Sequence, residues 1–471
     1  MTPPLSKSTL FASLPPPWPH DPLPAIREAL ATSRQKVVVL DDDPTGTQTV
    51  HDTPVLTEWL VEALARELIS PHPVFYLLTN SRSLPPGDAA ALNREIARHL
   101  TKASQQTGRS FVMVSRSDST LRGHYSVEMD ALARALDLEL GTCLLIPFFE
   151  AGGRFTVEDV HYVAQDDVLV PAGETAFARD ATFGYRASNL RAWVEEKTGG
   201  RILARQVASI SIEDIRCGGP DRVCERLMEL TGVPVCVVNA AAHRDLEVFV
   251  RGLLAAEKRG RRFLYRSAAS FVAARAGIAP RPLLNTRELS LPASGPGLII
   301  AGSHVPQSTE HLIRLLRAAD ELASVEIKVP ELQKKPTRVK ELKRVRRAVD
   351  EALQAGRKTL VYTSRRLIAG ADAAESLAIS RHVSDALVGV AQSISVRPRY
   401  IIAKGGITSS DIATRGLGAK RAMVRGQLLP GVPVWELGPE TRFPGLIYVV
   451  FPGNVGGPDA LVEAVHKLKS T

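Results

Sequence analysis

The sequence predicts two α/β domains with largely parallel sheets and an active site in the interdomain cleft. Three observations carry this. Short apolar or β-branched runs alternate with segments of helical periodicity along most of the chain. A Pro- and Gly-rich stretch interrupts the alternation at residues 283–296. The strand-like runs repeatedly end in polar clusters, which is where open parallel sheets bind ligands.

Taken in order, residues 1–25 carry eight prolines, including Pro15, Pro16 and Pro17, and no sustained periodicity, so they read as an extended or disordered arm. Residues 26–282 form the first domain, with strands expected at 37–40, 74–78, 111–114, 143–146 and 233–238. Leu60, Leu64 and Leu68 share one helix face between them, as do Leu92, Ile96 and Leu100. After the linker at 283–296, residues 297–471 form the second domain, with strands expected at 298–301, 325–329, 359–362, 400–403 and 446–451. No internal repeat relates the halves.

Composition narrows the function. The chain has 471 residues, 44% of them hydrophobic, which is ample for two cores. Cys143, Cys217, Cys224 and Cys236 show no C-x-x-C spacing, so neither a zinc site nor a disulfide framework is indicated and a reducing cytoplasm fits. No apolar run approaches the roughly 20 residues that span a bilayer, and the N-terminus lacks the pattern of a secretory signal, so no membrane partner is expected. The formal net charge is +9. Its densest basic stretch, 334–347, has Val339, Leu342, Val345, Val349 and Leu353 at spacings of three and four and no aromatic residue. That is an amphipathic helix with a solvated charged face, and no nucleic-acid partner is expected.

The chemistry-bearing residues cluster where the predicted strands stop. Asp41-Asp42-Asp43-Pro44-Thr45-Gly46 follows the run 37–40 and crowds three carboxylates at one edge, a costly arrangement unless protons, metal or substrate hydroxyls relieve it. If the strand persists, alternation sends Asp42 and Asp43 to opposite faces. Asn80-Ser81-Arg82-Ser83 follows 74–78, and a run from Ser115 to His124 containing Arg116, Asp118, Ser119 and Arg122 follows 111–114. Arginines at such an edge hold a carboxylate through forked hydrogen bonds, while Asp, Ser and Thr bind hydroxyls. The alternative is that Arg116 or Arg122 only neutralises a neighbouring aspartate. Gly152-Gly153-Arg154 follows the fourth run and adds another anion candidate. Together these suit a small, anionic polyol.

In the second domain Lys404-Gly405-Gly406-Ile407-Thr408 follows 400–403 and opens into a helix start, a turn whose backbone N–H groups favour phosphate. Neither G-x-x-x-x-G-K-[ST] nor G-x-G-x-x-G is present. Gly302-Ser303-His304 and the turn at 452–457, which contains Gly453, follow other strands of this domain and can wrap the same ligand.

With these motifs in this order, the chain resembles the four-carbon acid sugar kinases, long catalogued as a domain of unknown function. Asp42-Asp43-Pro44-Thr45-Gly46 is similar to that family's D-D-x-T-G, Ser115 to Gly123 to its S-R-x-D-S-T-L-R-G, and Lys404 to Thr408 to its glycine-rich nucleotide loop. The resemblance covers nearly everything from about Val37 to Gly457. It implies an N-terminal domain that binds the sugar acid and a C-terminal domain that binds ATP. It also implies transfer of phosphate, with Mg²⁺, to the terminal hydroxyl of threonate, erythronate or 3-oxo-tetronate. By resemblance Ser303, Gly405, Gly406, Ile407, Thr408 and Gly453 line the ATP site, while Asp42, Asp43, Arg82, Asp118 and Arg122 face the sugar acid; Thr45, Gly46, Arg116, Ser119 and Arg154, in the same runs, are further substrate-binding candidates. Asp42 or Asp43 would accept the proton, and the other, or Asp118, would orient hydroxyls or a metal-bound water. Arg82, Arg116 and Arg122 compete for the substrate carboxylate, and Lys404 would stabilise charge at the phosphates. A homodimer is compatible with this reading. Two other classes are weighed: an NAD-dependent hydroxy-acid oxidoreductase, opposed by the missing fingerprint glycines, and a module that senses a sugar acid and nucleotide without turnover.

Overall fold

The computed structural model describes residues 5–469 except 140, 304, 319–320, 367 and 369–372. The chain divides into two compact units, Met1–Val50 with Glu58–Pro280, and His51–Thr57 with Arg281–Thr471. In chain order the strands up to Pro280 are β1 (Leu5–Ser6), β2 (Lys36–Asp41), β3 (Thr53–Leu56), β4 (Val74–Leu78), β5 (Phe111–Arg116), β6 (Thr142–Ile146), β7 (Arg154–Val157), β8 (Val160–Gln165), β9 (Val168–Pro171), β10 (Val207–Ile210), β11 (Val235–Val238) and β12 (Phe263–Ser267). After it come β13 (Gly297–Ala301), β14 (Ala323–Ile327), β15 (Thr359–Thr363), β16 (Tyr400–Lys404), β17 (Arg421–Leu429), β18 (Val432–Leu437) and β19 (Ile447–Phe451).

In the first unit seven strands run in the order β10-β11-β6-β12-β5-β2-β4, every neighbouring pair parallel. All six residues of β2 are buried, as a strand covered on both faces requires. From β2 the chain moves first to β4 on one side and then, through the helix Pro86–Thr107, to β5 on the other. The strand order therefore reverses at β2. A reversal splays the connecting loops apart at the carboxyl ends and leaves a crevice there.

Helix Pro86–Thr107 buries Ile96 and Leu100. Leu64 and Leu68 are buried on the helix Val61–Ile69, whereas Leu60 precedes its first turn and is exposed. The helix Lys335–Gln354 buries Val345, Val349 and Leu353 and leaves Val339 exposed.

A separate antiparallel sheet, β1-β9-β8-β7, completes the first unit. Its edge strand comes from the proline-rich segment, so that segment is docked along part of its length. Leu5 and Ser6 pair with Leu169 and Val168, and Ser6 caps the helix Lys7–Ser13 that follows. The carbonyl of Pro15 accepts a hydrogen bond from Arg216. Proline has no N–H for a ladder, but the non-proline stretch 5–14 does, which is why structure appears there.

In the second unit β14-β15-β13-β16-β19 are parallel, and β18, β17 and β3 extend the sheet antiparallel. Strand β3 comes from the N-terminal half of the sequence, pairing Leu56 with Arg421 and Thr53 with Val424. From β13 the chain builds β14 and β15 on one side and then β16 and β19 on the other, so the reversal in this sheet falls beside β13. Ile299, Ile402, Val434, Val449 and Phe451 lie in its core with Leu461 and Val465 of the helix Ala460–Lys467.

Candidate functional site

In the first unit, strand β2 ends at Asp41, and Asp43 then caps a turn of 3-10 helix, Pro44–Thr47. The alternation is broken before Asp43, so Asp42 and Asp43 both reach Arg82 instead of facing opposite ways. Arg82 Nη2 lies 2.6 Å from Asp42 Oδ1, its Nε donates to Oδ2 at 3.3 Å, and its Nη1 is 3.6 Å from Asp43 Oδ2. Ser117 adds a hydroxyl to Asp42 Oδ2 at 2.8 Å. Burial works to raise the Asp42 carboxyl, but the Arg82 guanidinium, with Arg266 and Arg116, holds it below the usual carboxylate range. Asp43 Oδ1 accepts from the Thr45 backbone at 2.9 Å and the Thr45 hydroxyl at 2.6 Å, while Oδ2, facing Arg82 Nη1 at 3.6 Å, has no hydrogen bond among the described residues.

Asp41 is a different group. It is 1% exposed, and burial pushes its carboxyl up to about 8, with Arg116 at 3.2 Å opposing the shift. A Cβ at Gly46 would stand 2.0 Å from Asp41 Oδ1, so the turn packs straight onto this carboxyl and only glycine fits. Arg116 also lies 3.9 Å from Asp42 Oδ1. The neutralising alternative therefore describes Arg116, which links two buried carboxylates.

Beyond β5, Asp118 accepts from the Thr120 hydroxyl and from Arg122 Nε, both at 2.5 Å, and Arg122 Nη1 is 3.7 Å from Asp180. Burial opposes ionisation of Asp118, yet Arg82 and Arg122 hold it well below the usual carboxylate range. The Ser119 carbonyl accepts from His161 at 2.7 Å. A small pocket touches Ser117, Asp118, Arg122, Arg266 and Ser267, walled by Leu121, Leu145, Pro147 and Trp193. Ser267 Oγ and Trp193 Nε1 are buried without a hydrogen-bond partner among the described residues. Arg154, on β7, has its guanidinium 5.5 Å from the Phe177 ring centroid.

Sequence reasoning missed Arg266 and Glu128. Arg266 Nη1 is 2.6 Å from Glu128 and 2.8 Å from Ser115 Oγ, and its Nη2 is 2.7 Å from Ser117 Oγ. The pair sits behind Asp42 and sets the Ser117 hydroxyl that donates to it. The signal was available: Phe263–Ser267 is an apolar run ending in a polar pair, like the strands that were predicted.

The second unit's edge is built from small residues. Lys404 ends β16, fully buried, with Nζ 3.0 Å from the Pro452 carbonyl and 4.1 Å from the Phe451 ring centroid; burial, aided by Arg365, pushes its amine down to about 7. Gly405 has φ +114°, a backbone state that side chains resist, and begins the turn into the helix Gly406–Asp411. A Cβ on Gly405 would be 3.1 Å from Ser303 Cβ, one on Gly302 would be 2.3 Å from Thr408 Oγ1, and one on Gly453 would be 3.0 Å from Ser303 Oγ. The turns after β13, β16 and β19 thus meet, bringing Ser303, Gly405, Thr408 and Gly453 together. Gly406 opens the helix and Ile407 is 64% exposed. His304 lies outside the described residues.

Arg365, which follows β15, was also missed, although Ser364-Arg365-Arg366 obeys the same rule of polar clusters after strands. Its Nη2 donates to the Ser303 carbonyl at 2.7 Å and to Thr309 Oγ1 at 2.8 Å, while Nη1 is buried without a partner among the described residues.

Each unit thus presents a distinct edge, one lined by fixed charges and the other by glycines backed by cations. A model for a sugar-binding N-terminal domain matches residues 37–275, and one for a nucleotide-binding C-terminal domain matches residues 298–461. The chain belongs to the family with this architecture, the four-carbon acid sugar kinases.

Among solved structures it is similar to a Haemophilus influenzae protein of the same family under its earlier label, DUF1537, with 19% identity and a TM-score of 0.61 over 92% of this chain and 100% of that one. It is also similar to a Salmonella typhimurium LT2 protein provisionally described as a tRNA synthase, with 16% identity and a TM-score of 0.66 over 92% and 100% of the two chains. At such identities the likeness is one of fold. No curated protein matches the chain. Among the described residues no helix is long and apolar enough to cross a membrane.

Proposed function

We propose that the protein is a kinase that transfers the γ-phosphoryl group of ATP to the terminal hydroxyl of a four-carbon sugar acid of the threonate, erythronate or 3-oxo-tetronate type. The observation that carries this reading is the pairing of edges: carboxylates and arginines at the reversal of one sheet, glycines and hydroxyls backed by Lys404 at the reversal of the other. Phosphoryl transfer asks a protein for alignment and charge neutralisation more than for covalent chemistry. The chemistry also requires the phosphate held by the second unit to meet the hydroxyl held by the first, with water excluded during transfer.

The roles follow from how each group is engaged. Asp43 is the proposed base, because its Oδ2, steered by Arg82 at 3.6 Å and accepting no hydrogen bond among the described residues, can take the hydroxyl proton while Oδ1 is anchored by Thr45. Asp42, bound on both oxygens, holds Arg82 in place, and Asp118 orients substrate hydroxyls. In its charged form Lys404 meets the phosphates, and the Nη1 of Arg365, which has no partner among the described residues, adds a second cation beside Ser303. Among the described residues no group of three or more His, Cys, Asp or Glu side chains could hold a metal. The donors around the glycine turn are hydroxyls and cations rather than carboxylates, and Mg²⁺ is expected to arrive on the nucleotide phosphates.

The test is ADP release on adding threonate, erythronate and 3-oxo-tetronate separately. Saturable release with at least one acid is expected. ADP formation indifferent to every acid would refute the assignment.

A further inference from the structure

The arginines at the carboxyl edge of the first unit's sheet are not equivalent. Arg82 is met by Asp42 and Asp43, Arg116 by Asp41 and Asp42, Arg122 by Asp118 and Asp180, and Arg266 by Glu128. Arg154 makes no ion pair among the described residues, and its Nε is buried without a hydrogen-bond partner. Burial and the like charge of Arg122 push its guanidinium below its ordinary value, with Asp118 opposing, so an anion brought to it would be held strongly.

Its setting is built. Arg154 opens β7 directly after the Gly152-Gly153 turn, with backbone hydrogen bonds to Phe149 in both directions, 2.9 and 3.0 Å. The Phe177 ring lies 5.5 Å from its guanidinium carbon and 5.2 Å from that of Arg122, so one aromatic ring carries both cations.

We propose that Arg154, held with Arg122 against Phe177, receives the carboxylate of the sugar acid. The assignment rests on the sugar-acid reading above and settles the competition among arginines by charge: the others are already paired within the protein. A guanidinium fork matches a planar carboxylate with two parallel hydrogen bonds, and the aromatic ring fixes the plane of that fork. The acid is thereby bound by its C1 end at β7, leaving its hydroxyls for Asp118 and the end of β2. The residue then sets specificity for acids over uncharged analogues.

The test is calorimetric titration of the full chain, without nucleotide, with threonate and erythronate and with their carboxamides, for the wild type, Arg154→Met, Arg154→Lys and Phe177→Leu. The wild type is expected to prefer acid to amide by about 100-fold, the scale of a charged, forked hydrogen-bond pair. In Arg154→Met that gap closes, in Arg154→Lys part of it returns, and Phe177→Leu narrows it. A general loss of structure would weaken acid and amide alike. A gap that survives in Arg154→Met overturns the proposal, as does a wild type that binds neither acid. Titration separates this from the kinase reading: acid binding that depends on Arg154 without any ADP release would sustain the proposal and refute the kinase.

Discussion

The two sheet edges solve opposite problems. In the first unit the strand ends are crowded with side chains of both signs, and nearly every charge is met by another within the protein. In the second they are stripped to glycines and hydroxyls, so that backbone can approach a ligand, with one buried lysine and one half-paired arginine supplying positive charge. On the proposed function, the difference teaches that a polyol acid is read by preset side chains, whereas phosphates are read by backbone and by cations.

The sharpest break of that comparison lies in the first edge. Asp43→Asn is expected to lower kcat about 1,000-fold, the scale of general-base catalysis, while sugar-acid binding and the urea midpoint stay near wild type. Asp42→Ala is expected instead to destabilise the fold by about 3 kcal/mol, because it leaves Arg82 short of a partner in a largely buried site. Urea unfolding and steady-state kinetics on both variants separate the roles; equal effects would erase the distinction.

At the second edge, Gly405→Ala places a Cβ 3.1 Å from Ser303 and forces a residue into φ +114°. Strain of this kind costs about 1–3 kcal/mol. The expected reading is a rise of roughly 10- to 100-fold in the KM for ATP with the KM for the acid unchanged.

Lys404 gives a smaller, pH-dependent effect. With its amine pushed down to about 7, the charged form that phosphates prefer prevails below that pH and is lost above it. The KM for ATP should therefore climb from pH 6 to pH 8, approaching about tenfold per pH unit above 7. Lys404→Arg should flatten the climb; a profile as steep in that variant would show that Lys404 is not its source.

The smallest expected effect on turnover is at Asp41. Its carboxyl is raised in the fold to about 8, so the stability it contributes is fully present below its unfolded value near 4 and is lost as pH rises through 8. Asp41→Asn, which imitates the protonated acid, should keep near-normal activity at pH 7, and its urea midpoint should fall less than the wild type's between pH 5 and 9.

Much of this was legible in the sequence because parallel strands covered on both faces read as unbroken apolar runs, and the rule that ligands gather past their carboxyl ends does not require knowing which strands are neighbours. The runs leading to Asp42, Arg82, Asp118 and Lys404 all became strands. What escaped depended on pairing across long separations. Strand β3 is short, and only its register with β17 assigns it to the second unit. The hairpin of β17 and β18 was passed over, with its turn at Pro430-Gly431. Arg266 was invisible as a partner of Glu128 because 138 residues separate them. Crowding of Asp41, Asp42 and Asp43 was plain, but their separate states were not, since burial and the approach of Gly46 and Arg116 decide them.

In the proposed reaction the phosphate goes to the terminal hydroxyl of a four-carbon acid. Phosphorus NMR of a reaction containing ATP and the preferred acid tests it most directly. One new phosphate monoester is expected, coupled to the protons of C4 and formed in equal amount with ADP. Inorganic phosphate as the sole new phosphorus product beside ADP, or an ester on another carbon, would contradict it.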